Sequence, residues 1–75
     1  MSSNEPEKPE NIVEGIQREQ KRCREELLPE YDALGAVGAF GAMMIRADIE
    51  EGDKAIASGD VILILQAFAR LKECQ

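Results

Sequence analysis

Residues Val61–Leu65 read VILIL, five apolar residues in a row, and no other stretch of the chain offers a strand that could pair with them. Over so short a run, periodicity alone does not separate a buried strand from a buried helix. A lone strand, however, would leave its backbone amides and carbonyls without partners. The run also continues into Gln66–Glu73, where good helix formers predominate. It is therefore read as the opening turn of a helix, capped by Asp60 just after Gly59. A helix that is apolar all round must be buried on several sides. In a chain of 75 residues, one of those sides is expected to be covered by another polypeptide. Size points the same way: a domain of about 60 residues buries only ~60% of its unfolded surface and is marginally stable alone.

The rest of the chain also follows a helical period. Asn11 is placed to cap a helix, and Glu14 stands three residues later as in a capping box. Ile12, Ile16, Cys23, Leu27, Tyr31 and Leu34 then follow at spacings of 4, 7, 4, 4 and 3, one stripe along a helix. Pro29 falls inside this stripe. It removes a backbone donor and clashes with the carbonyl four residues back, so a kink near Glu25–Pro29, or two helices meeting there, is expected. Gly35 suits the left-handed residue that ends a helix. A further helix begins around Val37–Gly41 and runs to Ala57, closed by Gly59. It carries Ala42, Ile45, Ile49 and Ile56 on one face and Phe40, Met43, Met44 and Ala47 on an adjoining one. Gly52 is expected to bend or end it, since glycine weakens a helix by roughly 1 kcal/mol relative to alanine.

Composition removes several kinds of chemistry. There is no His, hence no Ser-His-Asp triad, Cys-His dyad, imidazole metal ligand or imidazole pH switch. The two cysteines, Cys23 and Cys74, are 51 positions apart, so the paired spacing of a structural zinc site or a redox CxxC motif is absent. A net charge of −6 argues against nucleic acid as a partner, because nucleic-acid binding needs a cationic footprint. The longest uninterrupted run of apolar residues and glycine, Ala33–Ile45, is 13 residues, short of the ~20 a membrane helix needs. The first 30 residues hold no apolar core of a signal peptide. A cytoplasmic chain with reduced thiols is expected.

Four motifs carry chemistry in principle. In GAVGAFGAMMI, glycine recurs at Gly35, Gly38 and Gly41. It lacks the Gly-Lys-Ser/Thr ending of a phosphate loop and follows a helix instead of a strand, so close backbone packing or a sharp turn is the expected role. The cluster Arg18, Lys21, Arg22 and Arg24 is read as a solvated face paired at i,i+4 with Glu14, Glu25 and Glu26. Asp48, Glu50, Glu51 and Asp53 form an acidic run without the ligand spacing of a calcium loop. Here Glu50 is expected to pair with Lys54. Cys23 fits the apolar stripe, and its neighbours Arg22 and Arg24 offer the alternative of an activated thiol.

The stretches GAFGAMMIR (Gly38–Arg46) and ASGDVI (Ala57–Ile62) resemble those of a group of small uncharacterised proteins encoded by proteobacteria and their phages. In that group a segment rich in Glu, Gln and Arg leads into a Leu-Leu-x-x-Tyr stretch, matched here by Leu27, Leu28 and Tyr31, and a helix opening on Gly-Asp closes the chain. The resemblance spans roughly residues 12–71 and implies a bacterial or phage origin. It carries no activity, cofactor or site residue to transfer.

The expectation is an all-α fold: a small three-helix bundle, or four helices if Pro29 splits the first. Residues 1–10 (MSSNEPEKPE) form a disordered acidic tail and residues 11–75 a single helical domain. No catalytic residue, cofactor or metal is assigned. The chain is expected to be a non-catalytic interaction or regulatory protein, a homodimer or the partner of another protein, with Phe40, Met43, Met44, Ile62 and Leu65 at the interface. A variant of this reading is an acidic inhibitor steered onto a basic partner. The alternative is a small helical enzyme or ligand binder with a site at a dimer seam using Arg46, Glu50 or Tyr31.

Overall fold

A reciprocal cap starts the first helix. The Asn11 side chain accepts the Glu14 amide at 2.8 Å, while the Asn11 amide donates to Glu14 Oε1 at 3.1 Å, the expected capping box. The computed structural model describes residues 11–75, so the disordered tail expected over residues 1–10 lies outside the described residues. Helix α1 spans Ile12–Arg22, a π-helical turn follows over Cys23–Leu27, and α2 spans Leu28–Ala33. The junction residues Arg22, Cys23, Leu27 and Leu28 all keep right-handed helical backbone angles. Pro29 therefore does not split the helix. Directly ahead of it the Leu28 amide reaches the Cys23 carbonyl, five residues back. The widened turn absorbs a ring that would clash in α geometry, and it leaves Pro29 in the first turn of α2, where no amide is needed.

Gly35, at φ +64°, ends α2, and a 3₁₀ turn over Gly35–Gly38 leads into α3, Ala39–Ser58. Gly38 and Gly41 bring this segment against Tyr31: a Cβ on Gly38 would lie 2.1 Å from the Tyr31 carbonyl oxygen, and one on Gly41 would lie 2.5 Å from Tyr31 Cε1. The glycine repeat is thus a close-packing device, as expected. Gly52 does not end α3, which runs unbroken through it. It is buried at the contact with α1 and α4, where a Cβ would meet Gln20, Ile16 and Leu71. Proximity to those side chains outweighs the propensity cost of glycine there. Gly59, at φ +71°, closes α3. Asp60 then caps α4, Val61–Glu73, by accepting the Ile62 and Leu63 amides at 2.8 and 3.3 Å. The VILIL run is helical.

Among the described residues all regular structure is helical. Helices α3 and α4 pack as an antiparallel pair, α1 lies against both, and α2 packs on α3. Ile16, Cys23, Ile45, Ile49, Ile64 and Leu71 form the centre of the core. Of the predicted stripe on the first helix, Ile16 and Cys23 are fully buried, while Ile12, Leu27 and Tyr31 are partly buried. Leu34 is an exception, 58% exposed, because α2 has already ended and the chain is turning at Gly35.

Candidate protein-interaction face

Two buried polar side chains on α1 fix how the helices sit, and the pattern of the sequence did not mark either one. Gln20 donates through Nε2 to the Ile49 carbonyl at 2.8 Å and to Asp53 Oδ1 at 2.9 Å, tying α1 to α3. Glu19 is held by Arg18 and by Arg22, whose Nε lies 2.8 Å from Glu19 Oε1. The other end of the Arg22 guanidinium donates to the Leu71 and Cys74 carbonyls at 2.9 and 3.0 Å. A cation on the last carbonyls of α4 satisfies orphan acceptors and complements the helix dipole. The predicted pairing of Arg22 with Glu26 is therefore replaced by a link from α1 to the end of α4. A sequence window cannot show this, because the partner lies 49 to 52 residues away. Burial by itself raises the Glu19 carboxyl pKa, but its bonds to Arg22 and Arg18 outweigh that and hold it below its ordinary value.

The remaining candidate residues disperse. Cys23 and Cys74 come close together at the end of α4, both as free thiols. Cys23 sits in the core, where burial pushes its pKa up. Burial and then the hydrogen bond to Asp48, at 3.3 Å, push Cys74 up to about 12. Neither is an activated thiol. The acidic run is shared out along α3: Asp48 accepts from Cys74, Asp53 from Gln20, and Glu51 pairs with Lys54 at 3.7 Å, in place of the expected Glu50. Among the described residues no three Cys, Asp or Glu side chains are grouped to hold a metal ion. Arg46 Nη2 donates to both carboxylate oxygens of Asp32 at 2.9 and 3.2 Å, Tyr31 donates to the Gln75 carbonyl at 2.6 Å, and Glu50 is exposed. The structure does not bring Arg46, Tyr31 and Glu50 into one pocket.

What the fold does gather is apolar surface. Among the described residues nine large apolar side chains, from Leu34 to Leu65, are between 45% and 86% exposed, and all five candidate interface residues are among them. At 100° per residue, Phe40, Met43, Met44 and Ala47 fall roughly opposite the buried Ala42, Ile45, Ile49 and Gly52 of α3. Ile62, Leu65 and Ala69 fall opposite the buried Ile64, Ala67 and Leu71 of α4 in the same way. Both sets lie on the side of the α3–α4 pair turned away from α1. Because the pair is antiparallel, they occupy opposite ends of that side. Between them runs a groove along the helix seam, lined by Met44, Asp48, Glu51, Arg70 and Glu73 and continued by Lys54, Leu63 and Gln66. The Cα positions span only 15 Å in their shortest direction, about the depth of two packed helices, so among the described residues no further layer covers the face.

No helix among the described residues is long and apolar enough to cross a membrane. Comparison with protein-family models, with curated proteins and with solved structures finds no match to the chain.

Proposed function

We propose that this chain is a small, non-catalytic interaction or regulatory protein, a three-helix bundle that engages another polypeptide through the outer face of α3 and α4. One observation carries the reading. Among the described residues nine large apolar side chains stand 45% to 86% exposed, and five of them, Phe40, Met43, Met44, Ile62 and Leu65, share the outer side of α3 and α4; clustered exposed apolar side chains of this kind mark interaction sites. Phe40, Met43 and Met44 suit such a role, since aromatic residues and methionine are enriched in interfaces and methionine adapts to its partner.

Radical footprinting in intact cells that produce the chain tests the proposal. Met43 and Met44, each about half exposed in the isolated chain, are expected to oxidise less in the wild type than in a Phe40→Asp, Ile62→Asp double variant that disrupts the face. Equal oxidation in the two would refute engagement of the face.

A further inference from the structure

We infer that the occupant of this face is a second copy of the chain, docked across a two-fold axis so that the Phe40, Met43 and Met44 cluster of each copy lies on the Ile62 and Leu65 cluster of the other. The inference rests on the interaction reading above and names the partner. Four features favour a second copy. The first is area. The five side chains of the two clusters, about half to two-thirds exposed, together with the groove between them, fit within the ~800 Å² that each partner contributes to a standard stable interface. One copy is therefore enough to cover the face.

The second is layout. Antiparallel packing puts the amino-terminal half of α3 and that of α4 at opposite ends of the face. The 12 residues from Met44 to Ile56 separate those ends by ~18 Å at 1.5 Å per residue. A two-fold axis generates every contact twice, so one kind of contact, cluster on cluster, covers both ends. The third is charge. The chain carries −6 overall, yet the seam between the clusters holds both signs, Lys54 and Arg70 beside Glu51 and Glu73. Copies that repel elsewhere can meet along a strip where opposite charges face each other.

The fourth is the size of the core. Among the described residues only Ile16, Cys23 and Leu71 are fully buried larger side chains. A chain this short is marginal by itself, so its apolar face has to be covered as a matter of course. The partner always present at the chain's own concentration is another copy.

Sedimentation equilibrium under reducing conditions, from high to low micromolar concentration, tests this with the full chain and with Phe40→Glu, Ile62→Lys and their equimolar mixture. The wild type is expected at twice the monomer mass. Each variant alone is expected to dissociate at concentrations at least 100-fold higher than the wild type. The mixture is expected to recover the dimer, because one of its two contacts is then wild type and the other pairs a glutamate with a lysine. Circular dichroism is read alongside, since a released chain can lose helix; helix that returns on mixing counts as the same recovery. A wild-type chain that is folded and monomeric throughout overturns the second copy. Protection of Met43 and Met44 in cells then decides separately whether a different protein takes the face. A dimer indifferent to both substitutions overturns the face, and a mixture that stays monomeric overturns the cluster-on-cluster arrangement.

Discussion

Replacing Gly52 with alanine opposes two effects of known sign. In a helix interior the change gains about 1 kcal/mol of propensity. Against it stands geometry: the new Cβ would lie 2.8 Å from Gln20 Nε2 and 3.3 Å from both Ile16 Cγ2 and Leu71 Cδ1. Ile16 and Leu71 are fully buried and have no room to retreat. Gln20 is the flexible neighbour, but its Nε2 is pinned to the Ile49 carbonyl and to Asp53. Displacing it forfeits two hydrogen bonds worth ~1 kcal/mol each, and crowding of the two aliphatic side chains adds about 1–2 kcal/mol. Gly52→Ala is therefore expected to destabilise the fold by about 2–3 kcal/mol net. Urea unfolding followed by circular dichroism, at one fixed protein concentration because self-association would shift the midpoint, measures it. For a slope of about 1 kcal/mol/M the midpoint falls by ~2–3 M. Adding Gln20→Ala should relieve the clash, so the double variant is expected to lose less than the sum of the single losses, a coupling of about 1 kcal/mol. A Gly52→Ala chain more stable than the wild type would refute the packing rationale and leave glycine there as a mere propensity defect.

Three further outcomes follow from the polar contacts. Arg22→Leu leaves the buried Glu19 carboxylate to Arg18 alone and frees the Leu71 and Cys74 carbonyls. It should cost about 3 kcal/mol in urea unfolding, with part of the loss restored by adding Glu19→Leu. The Glu19 pKa is lower in the folded chain than its ordinary 4.5. The stability it contributes is thus fully present above the unfolded pKa and is lost as pH falls through the lower folded one. Melting temperature measured from pH 6 to pH 2.5 should drop across this range less steeply in Glu19→Gln than in the wild type. With its pKa pushed up to about 12, the Cys74 thiol should react with iodoacetamide at pH 8 about 1,000-fold more slowly in the folded chain than when unfolded. Mass spectrometry reads the rate, and Asp48→Asn, which removes the negative charge beside the thiol, should speed it.

The sequence by itself determined the local structure, because the interactions that set it are local. Asn11 and Glu14 cap each other across three residues, Asp60 caps the amides two and three positions on, and Gly35 and Gly59 supply positive φ where helices stop. Periodicity assigned Ile16, Cys23, Ala42, Ile45 and Ile49 to the core, and it assigned helix, not strand, to VILIL. Those features make an all-α chain legible before any tertiary contact is known.

Only the tertiary structure decided what depends on residues distant in sequence. Pro29 kept the helix whole through a π turn in which the Leu28 amide reaches back to the Cys23 carbonyl. Gly52 proved to be a point of close approach and not a break, because Ile16 and Leu71 arrive there from other helices. Glu19 and Gln20 carry no mark of burial in the sequence, yet Gln20 is tied to α3 and Glu19 is held by Arg22, which itself reaches the end of α4. The same holds for the candidate face. The sequence supplied a surplus of apolar residues, and the antiparallel packing of α3 and α4 against α1 decided that Phe40, Met43, Met44, Ile62 and Leu65 would be left outside the core together, on the side that no helix of the described residues covers.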